Sequence, residues 1–317
     1  MTMRRLFCVL LALFVMFLPG CAAGENTASS VPVETELLET IPTPTAPSVT
    51  TLCTEMTEAT DLSDITEPET EPEPEIPWYE ISRMIYHAGG AIDGLAYTNS
   101  KEAIENTLSM GNRLLEIDFL FTSDGHLVCL HEWKNLQGLT RPCTLERFLS
   151  LKMNYAYTTI TAGDILAFMR EYPDMYVIVD TKETDAVGVV AELLRLCDSD
   201  PFVADRFVIQ LYEGGMKERI LELYPFEADN FLFTAYKFGP HRVTDILTLC
   251  LEEEISIVTV PYGSWDKAAV QRFTDAGCIV FEHTVNYTSM TDNGLQRGIY
   301  GFYTDSLQES DLVPNGA

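Results

Sequence analysis

The segment RLLEIDFLFTSDGHLVCLHE (113–132) contains two apolar runs that carry ionisable side chains near their ends. Glu116 and Asp118 lie two residues apart in the first run, and His131 ends the second. Side chains two residues apart in a strand point to the same side, so the two carboxylates are expected to project together. Because burying such charges is costly, they are expected to serve a partner, a metal ion or a reaction.

Apolar runs typical of strands recur along the chain from residue 84 onward, at 84–90, 113–121, 126–132, 175–182, 206–212, 230–236, 255–262, 278–285 and 298–305. Helical patterns separate most of them, at 101–110, 161–171, 186–196, 217–223, 243–252 and 266–275. Asn99 with Glu102 three residues later predicts a capping box for the first helix. The alternation predicts an α/β fold, a parallel (β/α)₈ TIM barrel, with an open doubly wound sheet as the alternative.

Polar side chains share one position in this pattern, the C-terminal ends of the strands: His87, Glu116, Asp118, His131, Asp180, Lys182, Gln210, Tyr236, Tyr262, Asn286 and Asp305. In a (β/α)₈ barrel this rim holds the active site. Three carboxylates converging there would repel one another without a cation, and hard oxygen ligands suit Mg²⁺ or Ca²⁺. The pattern therefore predicts one divalent cation held by Glu116, Asp118 and Asp180. Two histidines beside such a cation favour acid–base chemistry on a phosphoester.

An ordered set of segments resembles the glycerophosphodiester phosphodiesterase family, within the phosphatidylinositol phospholipase C-like superfamily. The segments are HAGG (87–90), IENT (104–107), the 116–132 block, VDTK (179–182), HTVN (283–286) and GFYTD (301–305). The resemblance implies that His87 and His131 are the acid–base pair and that Glu116, Asp118 and Asp180 bind the metal. It also implies that Lys182 offsets the charge of the phosphate. Further substrate contacts are predicted for residues at the rim: Gln210, Trp133, Tyr236 and Tyr262.

The implied function is a metal-dependent phosphodiesterase that hydrolyses glycerophosphodiesters or related phospholipid-derived or wall-polymer phosphodiesters. Ala88 departs from the family pattern, because it replaces an arginine beside the first histidine. This departure predicts weak binding of simple glycerophosphodiesters and space for a bulkier substituent near the phosphorus. Two alternatives stay open: a catalytically weak barrel lipoprotein that binds such ligands, and a glycosidase that uses paired carboxylates.

The N-terminal segment is typical of an exported protein. Residues 1–20 combine Arg4 and Arg5 with a short apolar core, which predicts a signal peptide. The following LPGC (18–21) resembles a bacterial lipobox, which implies cleavage after Gly20 and lipidation of Cys21; an ordinary signal peptide is the alternative. Residues 21–77 are rich in Thr, Pro and Glu, which predicts a disordered tether ahead of a barrel domain at 78–317. The protein is therefore expected at the cell membrane, lipid-anchored on the extracytoplasmic face.

The net charge of the chain bears on its binding partners, and the spacing of its cysteines bears on zinc binding. The net charge of −28 makes nucleic acid an unexpected partner. The expected partners are instead a small phosphodiester or a lipid headgroup. Five cysteines fall in the predicted barrel domain without CxxC spacing, which favours free thiols over a zinc site.

Overall fold

The computed structural model describes residues 76–235 and 242–312. The predicted signal peptide, Cys21, almost all of the predicted tether and Tyr236 lie outside the described residues. Among the residues that are described, no helix is both long enough and apolar enough to cross a membrane.

The strands of the described chain follow one another in the order β1 Met84–Tyr86, β2 Leu114–Phe121, β3 Leu127–Cys129, β4 Lys152–Met153, β5 Tyr157–Thr158, β6 Tyr176–Thr181, β7 Phe207–Leu211, β8 Phe231–Thr234, β9 Ile257–Pro261, β10 Ile279–His283 and β11 Gly301–Thr304. The helices are α1 Trp78–Ile81, α2 Lys101–Ser109, α3 Leu145–Leu149, α4 Ala162–Glu171, α5 Ala186–Leu196, α6 Pro201–Ala204, α7 Met216–Leu221, α8 Val243–Glu252, α9 Lys267–Asp275 and α10 Thr288–Arg297.

Eight strands form a closed parallel barrel. Strands β2, β6, β7, β8, β9, β10, β11 and β1 pair in that order, and β1 closes the ring by pairing with β2. Helices lie between consecutive barrel strands, so the predicted (β/α)₈ barrel is confirmed and the open sheet is wrong. The fold places the C-terminal ends of all eight strands at one rim.

Alternation along the strands divides the core into an inner and an outer part. The inner part fills the lower barrel with one residue from each strand and Trp78: Ile85, Leu114, Ile178, Val208, Leu232, Ile257, Phe281 and Tyr303. The residues next to them on the strands, such as Leu115, Val177 and Val258, belong to the outer cluster that includes apolar residues of the helices. Two positions further along from the inner layer, the same strands turn polar, which positions a site above a sealed apolar floor.

An insertion after β2 adds a smaller core outside the barrel. Strand β3 pairs antiparallel with β2, and α3, β4 and β5 follow it. Leu120, Val128, Phe148 and Met153 belong to a separate buried cluster under this segment. The insertion therefore holds the β2–β3 hairpin, and with it the segment that leads to His131.

The capping residue of α2 differs from the sequence-based prediction by one position. Ser100 is the N-cap, and its side chain accepts a hydrogen bond from the Ala103 N–H. Asn99 instead turns toward the barrel and contacts Asp118. The predicted Asn99 cap was therefore wrong, and the side chain has a different task at the site.

Trp78 closes the bottom of the barrel, and its removal should be costly. Its indole is 2% exposed, stacks on Phe281 with ring centroids 5.8 Å apart and donates a hydrogen bond from Nε1 to the Asp229 carbonyl at 2.7 Å. We expect Trp78→Ala to lower the free energy of unfolding by about 3–5 kcal/mol in a urea titration. Tyr79→Ala, at a half-buried neighbour, is the matched control and should cost less. Equal small losses for both would contradict the assigned role of Trp78.

Candidate active site

A cavity of about 540 Å³ lies above the apolar floor, at the C-terminal ends of the barrel strands. It contains six of the residues predicted from the sequence: His87, Glu116, His131, Asp180, Lys182 and Gln210. The other lining residues are Tyr97, Thr181, Glu183, Tyr212, Thr234, His283, Thr284 and Tyr303. The strand ends thus bring together ionisable groups that are far apart in the sequence.

Three carboxylates form a compact cluster at this site: Glu116 and Asp180 line the cavity, and the fully buried Asp118 lies beside them. Glu116, Asp118 and Asp180 each offer an oxygen, and these oxygens lie within 4.8 Å of one another. Glu116 and Asp118 are buried, whereas Asp180 is partly exposed. Burial, and next the negative charge of Asp118, raises the pKa of Glu116 well above its usual value. The cluster therefore carries unfavourable electrostatic energy that a cation would relieve.

Lys182 supplies part of that compensation. Its Nζ lies 2.8 Å from Asp118 Oδ1 and donates a hydrogen bond to Asp180 Oδ2. Burial alone would lower the pKa of Lys182, but the carboxylates of Asp118, Asp180 and Glu116 raise it, so the ammonium stays charged. Burial would likewise raise the pKa of Asp118, but Lys182 and the two histidines lower it. A fixed positive charge thus faces the cavity beside the carboxylates.

The three carboxylates fit a divalent cation. Glu116 Oε2 accepts a hydrogen bond from the Ala88 N–H at 2.7 Å, but the buried Oε1 has no hydrogen-bond partner among the described residues. A buried carboxylate oxygen without a partner is costly unless a ligand satisfies it. Oxygen donors from three carboxylates are the set that Mg²⁺ and Ca²⁺ prefer. Glu116, Asp118 and Asp180 are therefore suited to hold such an ion.

His87 is held between acidic groups directly after β1. Its Nδ1 lies 2.9 Å from Asp305 Oδ1, and its Nε2 lies 4.0 Å from Glu116 Oε2. Burial by itself would lower the pKa of His87, but the hydrogen bond to Asp305 and the charges of Glu116 and Asp118 outweigh it and raise the pKa to about 9. Asn286 in turn donates a hydrogen bond to Asp305 Oδ2 and so orients that carboxylate. In the protein without a bound cation, His87 is protonated at neutral pH.

His131 has the opposite electrostatic environment. It follows β3, and the Leu130 N–H donates to the Asp118 carbonyl at 2.9 Å, which fixes the chain beside the carboxylate cluster. Its buried Nδ1 has no hydrogen-bond partner among the described residues. Burial lowers the pKa of His131, and the nearby Asp118 only partly offsets this. The two histidines thus favour different protonation states at the same pH, which is the arrangement an acid and a base require.

Sequence reasoning missed Asn99 and Tyr212 as partners of the carboxylates. Asn99 Nδ2 donates to Asp118 Oδ2 at 2.7 Å, and Asn99 Oδ1 accepts from the Asp118 N–H at 3.0 Å. The Tyr212 hydroxyl donates to Asp180 Oδ1 and accepts from the Thr181 N–H. Tyr212 directly follows a strand end, which is a signal that could have found it. Asn99 lies in a loop, and its position before a helix predicted a helix cap and not a contact with Asp118.

Two further predicted substrate contacts, Trp133 and Tyr262, are absent from the described lining of the cavity. Trp133 packs edge-on against Phe148 in the core of the insertion, and Tyr262 lies beneath the Arg297 guanidinium. Ala88 is fully buried and is not among the lining residues, so the expected space beside it is not seen there. The IENT segment forms part of α2 and is not among the described lining residues. Gln210 and Lys182 are the predicted contacts that do face the cavity.

The described cysteines fit the expectation of free thiols. Cys129, Cys197, Cys250 and Cys278 are buried, Cys143 is partly exposed, and none of these five is in a disulfide.

Comparison with known proteins gave matches at the level of structure. No family model and no curated protein sequence matches the chain. A phosphodiesterase from Oleispira antarctica, solved with the product sn-glycerol-3-phosphate, is 16% identical with a TM-score of 0.59, covering 72% of this chain and 95% of that one. A glycerophosphoryl diester phosphodiesterase from Parabacteroides distasonis is 18% identical, with a TM-score of 0.55 and coverage of 74% and 88%.

A glycerophosphodiester phosphodiesterase from Thermotoga maritima is also 18% identical, with a TM-score of 0.52 and coverage of 71% and 94%. Each of these matches spans most of the solved protein, between 88% and 95% of its length. At this level of identity, the likeness concerns the backbone arrangement. The chain has the (β/α)₈ barrel fold of the glycerophosphodiester phosphodiesterases.

Proposed function

We propose that this protein is a metal-dependent phosphodiesterase that hydrolyses glycerophosphodiesters or related phospholipid-derived or wall-polymer phosphodiesters. One observation carries the proposal: two histidines whose pKa values shift in opposite directions line one cavity with Glu116, Asp180 and Lys182, and the buried Asp118 completes the carboxylate cluster. The product sn-glycerol-3-phosphate in the Oleispira antarctica structure supports the same substrate class. The carboxylates have the charge that binding of a divalent cation would need, and Lys182 has the charge that binding of a phosphodiester would need.

Binding of the substrate phosphate would rest on positive charge at the base of the cavity. Glu116, Asp118 and Asp180 would hold Mg²⁺ or Ca²⁺, which polarises phosphoryl oxygens and offsets the carboxylate charge when bound. The Lys182 ammonium, held by Asp118 and Asp180, would contact a phosphoryl oxygen from the same side. Gln210, whose Oε1 accepts from Thr234, presents its amide to the cavity and would orient the ester.

Proton transfer would be divided between the two histidines. Neutral His131 would accept a proton from the attacking water, and protonated His87 would donate one to the leaving alkoxide. The P–O bond to the alcohol breaks as the bond to the water oxygen forms, which yields a phosphomonoester and a free alcohol. Asp305 would keep the His87 ring oriented throughout, through its hydrogen bond to Nδ1. Each positioned proton transfer contributes on the order of 10²–10⁴ in rate.

A panel of substrates tests this function. The purified protein is assayed with Mg²⁺ or Ca²⁺ on glycerophosphodiesters, on phospholipids, on a wall-polymer phosphodiester and on aryl glycosides. We expect turnover of at least one phosphodiester and none of the glycosides. Binding of diesters without any turnover would instead favour the weak-barrel alternative that Ala88 suggests. Hydrolysis of glycosides alone would overturn the phosphodiesterase assignment.

The pH profile should be bell-shaped, with limbs set by the two histidines. Activity should fall below the pKa of His131, which lies under its usual value, because the base becomes protonated. It should fall again above the pKa of His87, at about 9 or lower with a cation bound, because the acid loses its proton. Asp305→Asn removes the main partner that raises the pKa of His87, so its basic limb should move to lower pH while the acid limb stays. A basic limb that does not respond to Asp305→Asn would contradict the assignment of His87 as the acid.

We also propose that Cys21 carries a lipid anchor that holds the barrel on the extracytoplasmic face of the membrane. The support is the lipobox-like LPGC segment followed by an acidic, proline-rich stretch. Cys21→Ser should release the protein from the membrane fraction or leave its precursor uncleaved, whereas Cys53→Ser, in the same stretch, should change neither. Unchanged processing and fractionation of the Cys21→Ser protein would contradict the anchor.

A further inference from the structure

Tyr97 lies between the two histidines. Its ring centroid is 4.4 Å from that of His87, with the rings at 89°, and 4.9 Å from that of His131, with the rings at 70°. The side chain is 40% exposed, so it reaches the histidines from the solvent side of the cavity. Any ester bound between His87 and His131 would therefore meet this ring.

The backbone at Tyr97 holds a left-handed conformation, with φ of 59°. Bulky residues rarely adopt this conformation, and it persists only where the surroundings impose it. The loop is fixed on both sides of Tyr97. On one side Asp93 accepts a hydrogen bond from the Tyr157 hydroxyl at 2.9 Å, and on the other Asn99 is bound to Asp118 and to the Ala88 carbonyl. The position of the ring is therefore set by the fold, although the side chain itself is partly exposed.

A second cavity, of about 320 Å³, lies against the first. Both cavities are lined by Tyr97 and His131, so these two side chains form the wall between them. The other residues of the second cavity are mostly polar: Ala96, Glu132, Asn135 and Asn154. A group that extended from the phosphate past His131 would enter this second space if the ring of Tyr97 were absent.

We propose that Tyr97 is a specificity-determining residue that limits the size of the ester group retained on the phosphorus, which extends past His131 because the leaving alcohol departs beside His87. This inference rests on the proposed phosphodiesterase function. With the tyrosine ring in place, the retained ester group is confined to the first cavity. Without the ring, the two cavities join, and the carboxylate and amide groups of Glu132, Asn135 and Asn154 become available to a hydroxyl-rich ester group. The removal of one side chain thus changes which diester is preferred.

Two diesters that share a 4-nitrophenol leaving group and differ in the ester group retained on the phosphorus provide the test: glycerol 4-nitrophenyl phosphate and the bulkier inositol 4-nitrophenyl phosphate. We expect Tyr97→Ala to raise the ratio of kcat/KM for the bulkier ester over the smaller one by about 10-fold or more, the scale that pocket size commonly sets. Tyr97→Phe keeps the ring and should keep the wild-type ratio. Tyr287→Ala removes a tyrosine that is 69% exposed and lines neither cavity, and it should also leave the ratio unchanged.

The outcomes separate this inference from the proposed function. An unchanged ratio in Tyr97→Ala, with both esters slowed equally, would overturn the role in specificity and leave the phosphodiesterase function standing. If the wild-type protein hydrolyses neither ester, the proposed function fails for these substrates. The ratio of the two dissociation constants, measured by calorimetry on the same variants, then decides the role of Tyr97. An absence of both binding and turnover would overturn the two proposals together.

Discussion

Alanine in place of His87 or His131 is expected to lower kcat by about 10²-fold or more, because each change removes one of the two proton transfers. The double variant should lose far less than the product of the two single losses, since the histidines act as a unit. Both single variants should stay folded, because the rings of His87 and His131 line the cavity and do not fill the apolar core. Steady-state kinetics and thermal unfolding on the same preparations measure the two quantities separately.

His126→Ala is the matched control for this experiment. His126 follows the turn between β2 and β3, and its exposed ring lies 3.6 Å from Asp124 Oδ1 in an ion pair. Its loss should leave kcat within about twofold of wild type, as expected for a surface change distant from the cavity. A His131→Ala protein with normal turnover would remove this residue from the reaction. Fully multiplicative losses in the double variant would show that the histidines act independently.

Glu116→Gln is expected to abolish most of the activity by weakening the binding of the divalent cation. Glutamine keeps an oxygen for the Ala88 N–H, but it removes one of the three charges that Glu116, Asp118 and Asp180 offer. In wild-type protein, added Mg²⁺ or Ca²⁺ should raise the Tm by mass action, since the ion binds the folded state alone. The rise should be much smaller in the variant. Differential scanning calorimetry, with and without the ion, measures it.

In chelator, the stability of the Glu116→Gln protein is expected to change in the opposite direction. The pKa of Glu116 is raised, so its ionised form destabilises the folded state above the carboxyl's ordinary pKa. Removing that charge should leave the metal-free protein as stable as wild type or more stable at neutral pH. Glu105→Gln, at an exposed residue paired with Lys101, is the control and should alter neither quantity. A Glu116→Gln protein that retains the full Tm rise with added ion would contradict the metal site.

The barrel was predictable because its strands carry a clear pattern. Each strand joins an apolar floor residue to a polar residue two positions later, as Leu114 does with Glu116 and Ile178 with Asp180. This pattern can be recognised in the sequence without knowing which strands pair with each other, because it follows from the two-residue period of a strand. Helix α10 was missed for the opposite reason. It packs through small residues: Gly294 lies so close to Phe302 that an added Cβ would be 2.5 Å from that ring, and such contacts leave no apolar period in the sequence.

The site was predictable where it depends on strand ends and not where it depends on loops. Asp180 lies near the end of β6, and His87 and Lys182 directly follow strands, so their convergence follows from the barrel. Glu116 lies within β2, two residues after the floor residue Leu114, and projects to the same side. Asn99 and Tyr97 reach the site from a loop in which both adopt positive φ. The sequence of this loop does not predict that backbone conformation. Tyr262 shows the converse error: it also follows a strand end, but it lies outside the cavity lining.

Hydrolysis of glycerophosphoethanolamine in H₂¹⁸O tests the central claim most directly. The purified protein is incubated with Mg²⁺ or Ca²⁺, with EDTA, and with EDTA followed by excess ion, and the products are analysed by ³¹P NMR and mass spectrometry. We predict a phosphomonoester that carries one ¹⁸O, formed with the ion, absent in EDTA and restored when the ion returns. Equal hydrolysis in EDTA, or ¹⁸O found in the released alcohol instead of the phosphate, would contradict metal-dependent attack of water at phosphorus.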